Sequence, residues 1–163
     1  MLHLKKLNNK IYSLEELENN VNAWRQAGEE VVFTNGCFDI IHKGHIEVLA
    51  RTADLGTKFI VGLNSDSSIQ KLKGKNRPII QQQSRAILLA SFSFVDAVIL
   101  FSEETPINLI STLLPDVLAK GGDYEISTIV GHKVVQENGG QVILVPFVDG
   151  FSSTTIIDKI KNS

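Results

Sequence analysis

Two histidines three residues apart, His42 and His45, bracket Gly44 at the end of the stretch Thr34-Asn35-Gly36-Cys37-Phe38-Asp39-Ile40-Ile41-His42-Lys43-Gly44-His45. Side chains three apart share one face of a helix. At a helix start, both imidazoles would project to the same spot as the unpaired N–H groups and the positive end of the helix dipole. That combination is a phosphate site. Gly44 removes a side chain where backbone or ligand must come close. Imidazoles and a glycine are poor helix formers, a local cost that usually accompanies a site. Neither a cysteine pair nor a further histidine cluster stands nearby to complete a tetrahedral zinc site. On spacing alone, one histidine capping the helix and the other packing is an equally open reading.

The elements that must position this pair can be read from hydrophobic period. Val31-Val32-Phe33 is a buried strand ended by the turn residues Thr34-Asn35-Gly36. From about His42–Gly44 the apolar residues Ile46, Leu49, Ala50 and Ala53 recur at helical spacing, and Asp54-Leu55-Gly56 closes that helix. Phe59–Leu63 is a second strand, and a strand–helix–strand unit of this length implies a parallel pair with a right-handed crossover. The pattern repeats. Ser84–Ser91 is helical, Ala97–Phe101 is a strand, and Thr105-Pro106 opens a helix through Leu113. Asp116–Ala119 is a fourth strand, a helix lies near Val130–Glu137, Gln141–Val145 is a fifth strand, and a last helix begins at Ser152–Thr154. Ahead of all this, Ser13-Leu14-Glu15-Glu16 is a capping box, and Leu14, Leu17, Val21 and Trp24 form an apolar stripe ending near Gly28. The expectation is an α/β fold: a doubly wound, five-stranded parallel sheet with helices on both faces, a single domain over 29–163, with residues 1–28 as a helical extension packed on it.

Ligands of such sheets bind outside the carboxyl ends of the strands. The segments predicted there are polar and glycine-rich: Thr34-Asn35-Gly36, Asn64-Ser65-Asp66, Lys120-Gly121-Gly122-Asp123 and Asp149-Gly150-Phe151-Ser152-Ser153-Thr154. All four are expected to meet in one crevice. The glycines of Lys120–Asp123 would let the backbone read the edge of a base, and Phe151 could lie against its ring or pack under the last helix. Ser152, Ser153 and Thr154 offer a second anion site at a helix start. Leu72–Pro78 is a basic loop, either solvated or a phosphate clamp. Arg85, on an otherwise apolar helix, is expected to reach into the crevice.

Taken together, the strand, Thr34–Asp39 and His42-Lys43-Gly44-His45 resemble the first signature of the nucleotidyltransferase superfamily that shares its phosphate-binding histidines with class I aminoacyl-tRNA synthetases. With Gly62–Ser68, Leu72–Pro78, Leu114–Tyr124 and Asp149–Ile157, the chain resembles the adenylyltransferase domain of ADP-heptose synthase over about residues 28–161. The resemblance implies a Rossmann-like fold and transfer of the adenylyl group of ATP to D-glycero-β-D-manno-heptose 1-phosphate, giving ADP-heptose and pyrophosphate for lipopolysaccharide core or another surface heptose glycan. It implies catalytic roles for His42, His45 and Lys73. It implies nucleotide contacts from Thr34, Asn35, Gly36, Cys37, Phe38, Gly44, Lys120, Gly121, Gly122, Asp123, Phe151, Ser152, Ser153 and Thr154. The sugar phosphate would fall to Asp39, Lys43, Asn64, Asp66, Arg77 and Arg85. Mg²⁺ would be held mainly through the ATP phosphates, with no firm protein ligand and Asp39 as a candidate contact. The family occurs behind a sugar-kinase domain or alone. The resemblance here is to the stand-alone form, because nothing like a kinase precedes Val31, so a separate heptose kinase is expected; family members commonly pair, so a homodimer is expected as well.

Sister families part company at particular residues. Glycerol-3-phosphate cytidylyltransferases carry Arg-Thr where this chain has Phe147-Val148, and pantetheine-phosphate adenylyltransferases have Pro and Thr where it has Ile40 and His42. CTP-dependent cytidylyl transfer and a non-catalytic nucleotide-sensing domain stay open as alternatives. Among 163 residues the net charge is −2 with no basic stripe, which argues against nucleic-acid partners. A single cysteine excludes an internal disulfide. Neither a signal peptide nor a run of membrane-span length is present, so a cytoplasmic location without membrane attachment is expected.

Overall fold

The computed structural model describes residues 2–147 and 150–162. Eight helices and six strands follow in the order α1 (Leu2–Asn8), β1 (Ile11–Tyr12), α2 (Leu14–Gln26), β2 (Val31–Gly36), α3 (Lys43–Ala53), β3 (Lys58–Asn64), α4 (Asp66–Lys73), α5 (Gln82–Ser91), β4 (Ala97–Phe101), α6 (Ile107–Leu113), β5 (Val117–Gly121), α7 (His132–Glu137), β6 (Gln141–Val145) and α8 (Ser153–Lys161). A 3₁₀ turn at Ile126–Thr128 precedes α7. All strands run parallel in the order β1-β4-β3-β2-β5-β6.

The sheet therefore has six strands, not the five read from periodicity. The sixth, Ile11–Tyr12, is two residues long, too short for any alternation to show. It is secured by non-local bonds: the Val98 amide donates to the Lys10 carbonyl at 2.7 Å, and Lys10 Nζ donates to the carbonyls of Val95 and Phe92 at 2.6 and 3.1 Å. Residues 1–28 thus contribute an edge strand as well as helices. Pro106 caps α6 rather than filling its first turn, and α7 starts at His132, two residues later than expected.

Alternate residues of each strand feed opposite layers of core. Val31, Phe33, Ile60 and Leu118 pack with Leu17 and Val21 of α2, Leu109, Ile110 and Leu113 of α6, and Val135 of α7, with Trp24 half-buried against them. Val32, Val61 and Val98 face Leu49 of α3 and Ala86, Leu89 and Ala90 of α5. Carboxylates fix the register at the strand starts: Asp116 Oδ2 accepts from the Val31 amide at 2.7 Å, and Asp96 Oδ2 from that of Phe59 at 2.8 Å.

The strand order reverses at β2. It pairs with β3 along its whole length but with β5 only at Val32↔Val117 and Phe33↔Leu118. Beyond that register the two strands part, bridged by Thr34 Oγ1 donating to the Ala119 carbonyl at 2.9 Å. The gap at a topological switch point is where such a sheet holds its ligand.

Candidate active site

His42 is the N-cap of α3, in extended backbone conformation, and its Nδ1 accepts from the His45 amide at 3.4 Å. An accepting Nδ1 assigns the ring proton of the neutral imidazole to Nε2. The ring of His45 stacks on that of His42, with centroids 3.9 Å apart and planes at 24°, and meets the edge of Phe38 at 5.6 Å. Its Nδ1 is buried and has no partner among the described residues. Buried polar atoms are almost always bonded, so an orphan here marks a group held ready for something else. Burial, then neighbouring His42 and Lys73, pushes the His45 pKa down to about 4, against the pull of the Ile40 carbonyl; burial lowers that of His42 as well. Both rings are uncharged N–H donors near neutral pH.

Gly44 lets a second element close over this pair. A Cβ there would lie 2.9 Å from Cβ of Phe151 and 3.2 Å from the His42 ring. Phe151 leads into α8 and lies over His42, centroids 6.1 Å apart and planes at 22°, with Lys43 Nζ 5.8 Å above it. It thus packs against the start of α3, beside the histidine pair. Ser152 caps α8 by accepting from the Thr154 amide at 3.2 Å, and Ser153 Oγ donates to the Ile40 carbonyl at 3.0 Å, tying α8 to the loop before α3. Two of the three hydroxyls thus have structural duties, and two helix N-termini converge on one space.

That space is a cavity of about 620 Å³ lined by Thr34 to Asp39, His42, Gly44, His45, Lys73, Arg77, Lys120, Gly121 and Phe151 to Thr154. Most of the expected site residues meet there. Five others complete it: Val48, Leu49, Tyr124, Phe147 and Gly150. Phe147 is 61% exposed although it flanks the glycine pair; the one sequence signal for it was its place where glycerol-3-phosphate cytidylyltransferases carry arginine. Asp149 and Val148 lie outside the described residues.

Six expected residues do not line this cavity. Arg85 is fully buried, donating from Nε to the Ile80 carbonyl at 2.8 Å, from Nη1 to those of Cys37 and Asn64 at 2.6 and 2.9 Å, and from Nη2 to Asp66 Oδ1 at 2.7 Å. Its guanidinium holds loops together and does not reach a ligand. Asp66 is its counter-ion. Asn64 Nδ2 donates to Ser68 Oγ at 3.0 Å. Lys43 points to solvent and pairs with Glu47 at 3.3 Å. Gly122 has φ +125°, and a Cβ there would lie 2.7 Å from Phe147 and 2.8 Å from Tyr124. It sets the two aromatic rings apart, so valine at this position would strain the loop. Asp123 is exposed.

Asp39 reaches the cavity wall with both oxygens already used. It accepts from Arg77 Nε at 2.7 Å and from the amides of Ile79 and Ile80 at 2.8 to 3.0 Å, and Arg77 Nη2 lies 2.7 Å away. Burial raises its pKa, but the two amides and Arg77 outweigh that and hold it below the usual carboxylate value. This carboxylate is not free to take a metal ion, and among the described residues no group of three His, Cys, Asp or Glu could hold one.

The Cytidylyltransferase-like family model matches residues 33–159, from β2 to α8 and so across both helix starts that face the cavity. The chain belongs to the cytidylyltransferase-like family. As a cytidylyltransferase-like protein it is a nucleotidyltransferase. The bifunctional protein HldE of Geobacter sulfurreducens is 50% identical over 151 residues, covering 93% of this chain and 31% of that protein. HldE of Citrifermentans bemidjiense is 46% identical over 159 residues, 98% of this chain and 33% of its own length. The chain thus spans about a third of the curated relatives it matches. The crystal structure of the lipopolysaccharide core biosynthesis protein from Thermoplasma volcanium superposes with a TM-score of 0.61 at 28% identity, covering 74% of this chain and 98% of that one. Pantoate-beta-alanine ligase from Francisella tularensis, at 14% identity and TM-score 0.60 over 94% of this chain and 78% of its own, shares the fold. Among the described residues no helix is long and apolar enough to cross a membrane.

Proposed function

We propose that the chain transfers the adenylyl group of ATP to D-glycero-β-D-manno-heptose 1-phosphate, releasing pyrophosphate and ADP-heptose for a surface glycan. The observation that carries this reading is the convergence of the stacked His42–His45 pair and the start of α8 on one cavity whose other end is flanked by Gly121 and Phe147. The similarity to HldE proteins and to a lipopolysaccharide core biosynthesis protein supports the sugar phosphate as acceptor. Phe147, where cytidylyltransferases of the glycerol 3-phosphate type carry arginine, supports adenine over cytosine. An apolar ring fits the larger purine face.

An oxygen of the sugar phosphate attacks the α-phosphorus in line, and pyrophosphate leaves with the electrons of the broken P–O bond. No protein nucleophile is needed, so the chain contributes alignment and charge stabilisation. His42 Nε2–H and the α3 amides donate to the α-phosphate and the leaving oxygen, where negative charge grows. Thr154 and the amides opening α8 hold the β- and γ-phosphates, and Lys73 neutralises the departing pyrophosphate. Mg²⁺ arrives as part of the substrate, on the ATP phosphates. The acceptor would come from a heptose kinase, and we propose a cytoplasmic homodimer.

The test incubates the protein with ATP or CTP, Mg²⁺ and inorganic pyrophosphatase, offers heptose 1-phosphate or glycerol 3-phosphate, and measures phosphate. Release with ATP and heptose 1-phosphate is expected, with CTP used far less. Equal use of CTP would overturn the adenine reading, and tight ATP binding without release from any sugar phosphate would mark a nucleotide sensor.

A further inference from the structure

A second cavity of about 290 Å³ adjoins the first, and the two share the wall formed by Asn35, Gly36, Cys37, Lys120 and Tyr124. It lies on the other side of the end of β2. The first cavity opens toward α3 and α8. The second runs from the ends of β3 and β5 to the loops that lead out of β4 and β5, with Pro106 and Ile129 as its buried floor. Its polar side chains include Asn64, Glu104, Thr105 and Thr128. Glu104 is exposed and, among the described residues, has no cation within ion-pair distance.

Lys120 stands in the shared wall. Among the described residues its Nζ makes only long contacts, 3.3 and 3.4 Å, to the side-chain and backbone oxygens of Asn35, and no carboxylate pairs with it. A half-buried ammonium bonded so weakly is costly to hold unless an anion completes its shell. Burial lowers its pKa, with the Cys37 thiol acting in the opposite direction.

Transfer at phosphorus sets a further constraint. The attacking and leaving oxygens must approach from opposite sides. With the leaving pyrophosphate held at α3 and α8, the acceptor has to come from the side away from those helices, past Asn35–Cys37 and Lys120. We propose that the second cavity is the acceptor site: it takes a phosphorylated, polyhydroxylated sugar, with the phosphate at Lys120 where the cavities meet and the hydroxyls among Glu104, Thr105 and Thr128. This rests on the transferase reading above and moves the acceptor away from Asp39, Asp66, Arg77 and Arg85. Carboxylate and hydroxyl side chains pair sugar hydroxyls, and a buried hydroxyl left unpaired is strongly discriminated against.

The test is a pair of variants with opposite signatures. Thr105→Trp fills the second cavity from an exposed loop position, so folding is not at stake. It is expected to raise KM for heptose 1-phosphate at least tenfold while KM for ATP stays within about twofold; Glu104→Gln should shift the same constant in the same direction. Phe147→Ala is expected to do the reverse. Unchanged KM for the sugar phosphate in both Thr105→Trp and Glu104→Gln would overturn the assignment. A readout independent of turnover is iodoacetamide alkylation of Cys37, the single cysteine, in the shared wall. Heptose 1-phosphate without ATP should slow it in the wild type but not in Thr105→Trp. Should the wild type turn over no sugar phosphate, the transferase reading fails by itself. The cavity assignment is then decided by this protection, and its absence overturns it too.

Discussion

Two clusters of ionisable groups lie side by side at the carboxyl end of the sheet, and they are built in opposite ways. In one, Asp39, Arg77, Asp66 and Arg85 are bonded to one another and to the amides or carbonyls of Cys37, Asn64, Ile79 and Ile80. In the other, among the described residues, His45 Nδ1 has no partner, Lys120 has only two long contacts, and no carboxylate pairs with Lys73. The closed cluster sets carboxylates against guanidiniums and the open one holds only basic side chains, so the difference is whether bonding capacity is used up inside the protein. A satisfied cluster holds loops in place, and an unsatisfied one is reserved for a ligand. Arg85 pulls on the Cys37 carbonyl and Asp39 on residues 77–80, so the closed cluster fixes the loop that presents His42 to the open one.

The comparison breaks most readily at Arg85. Removing one partner from a buried, fully bonded charge network costs about 3–5 kcal/mol, so Arg85→Ala is expected to lower the urea midpoint severely. Arg85→Lys should not rescue it, because an ammonium has three donors and lacks the guanidinium fork that reaches all four acceptors. Near-native stability of Arg85→Ala would show that the closed cluster is not structural.

The open cluster should respond conversely. His42→Ala and His45→Ala are expected to lower kcat by about 10²-fold or more, as for a lost oxyanion donor, with the melting temperature nearly unchanged and KM for ATP moved much less. A rise in KM at constant kcat would mean that the pair only holds the ground state.

Acid separates the two clusters. His45 titrates near 4 when folded and near 6.5 when unfolded. The unfolded chain then binds more protons between these values, so stability falls as pH drops from about 6.5 toward 4. Asp39 has its folded pKa below the ordinary 3.8. Its contribution is intact above that value and is lost as pH falls beneath it. Urea titrations at several pH values between 7 and 3 should show His45→Asn flattening only the upper step and Asp39→Asn only the lower one.

The smallest effect is expected at Lys43. Its exposed pair with Glu47 is worth about 0.5 kcal/mol or less, so Lys43→Ala should shift neither the melting temperature nor KM for the sugar phosphate appreciably. A tenfold rise in that KM would return the acceptor to the α3 side and count against the second cavity.

The histidine pair, Gly44 and the helix start beneath them were legible in the sequence because a helix N-terminus is built by contiguous residues whose types and spacing are themselves the structure. The same holds for the longer buried strands, whose apolar runs are local, and for the hydroxyls that open α8. Three things were decided only in tertiary structure. The Ile11–Tyr12 strand exists through partners more than eighty residues away. Arg85 and Asp39 are used by carbonyls and amides from separate loops, which no local pattern announces, so a lone cation on an apolar helix and a carboxylate beside a histidine motif looked like ligand groups. Phe147, Tyr124 and the second cavity come together only when the ends of β2, β3 and β5 and the loops beyond β4 and β5 are brought side by side. Spacing along the chain fixes which side chains share a face, whereas whether a polar group is satisfied depends on donors and acceptors that only folding brings near.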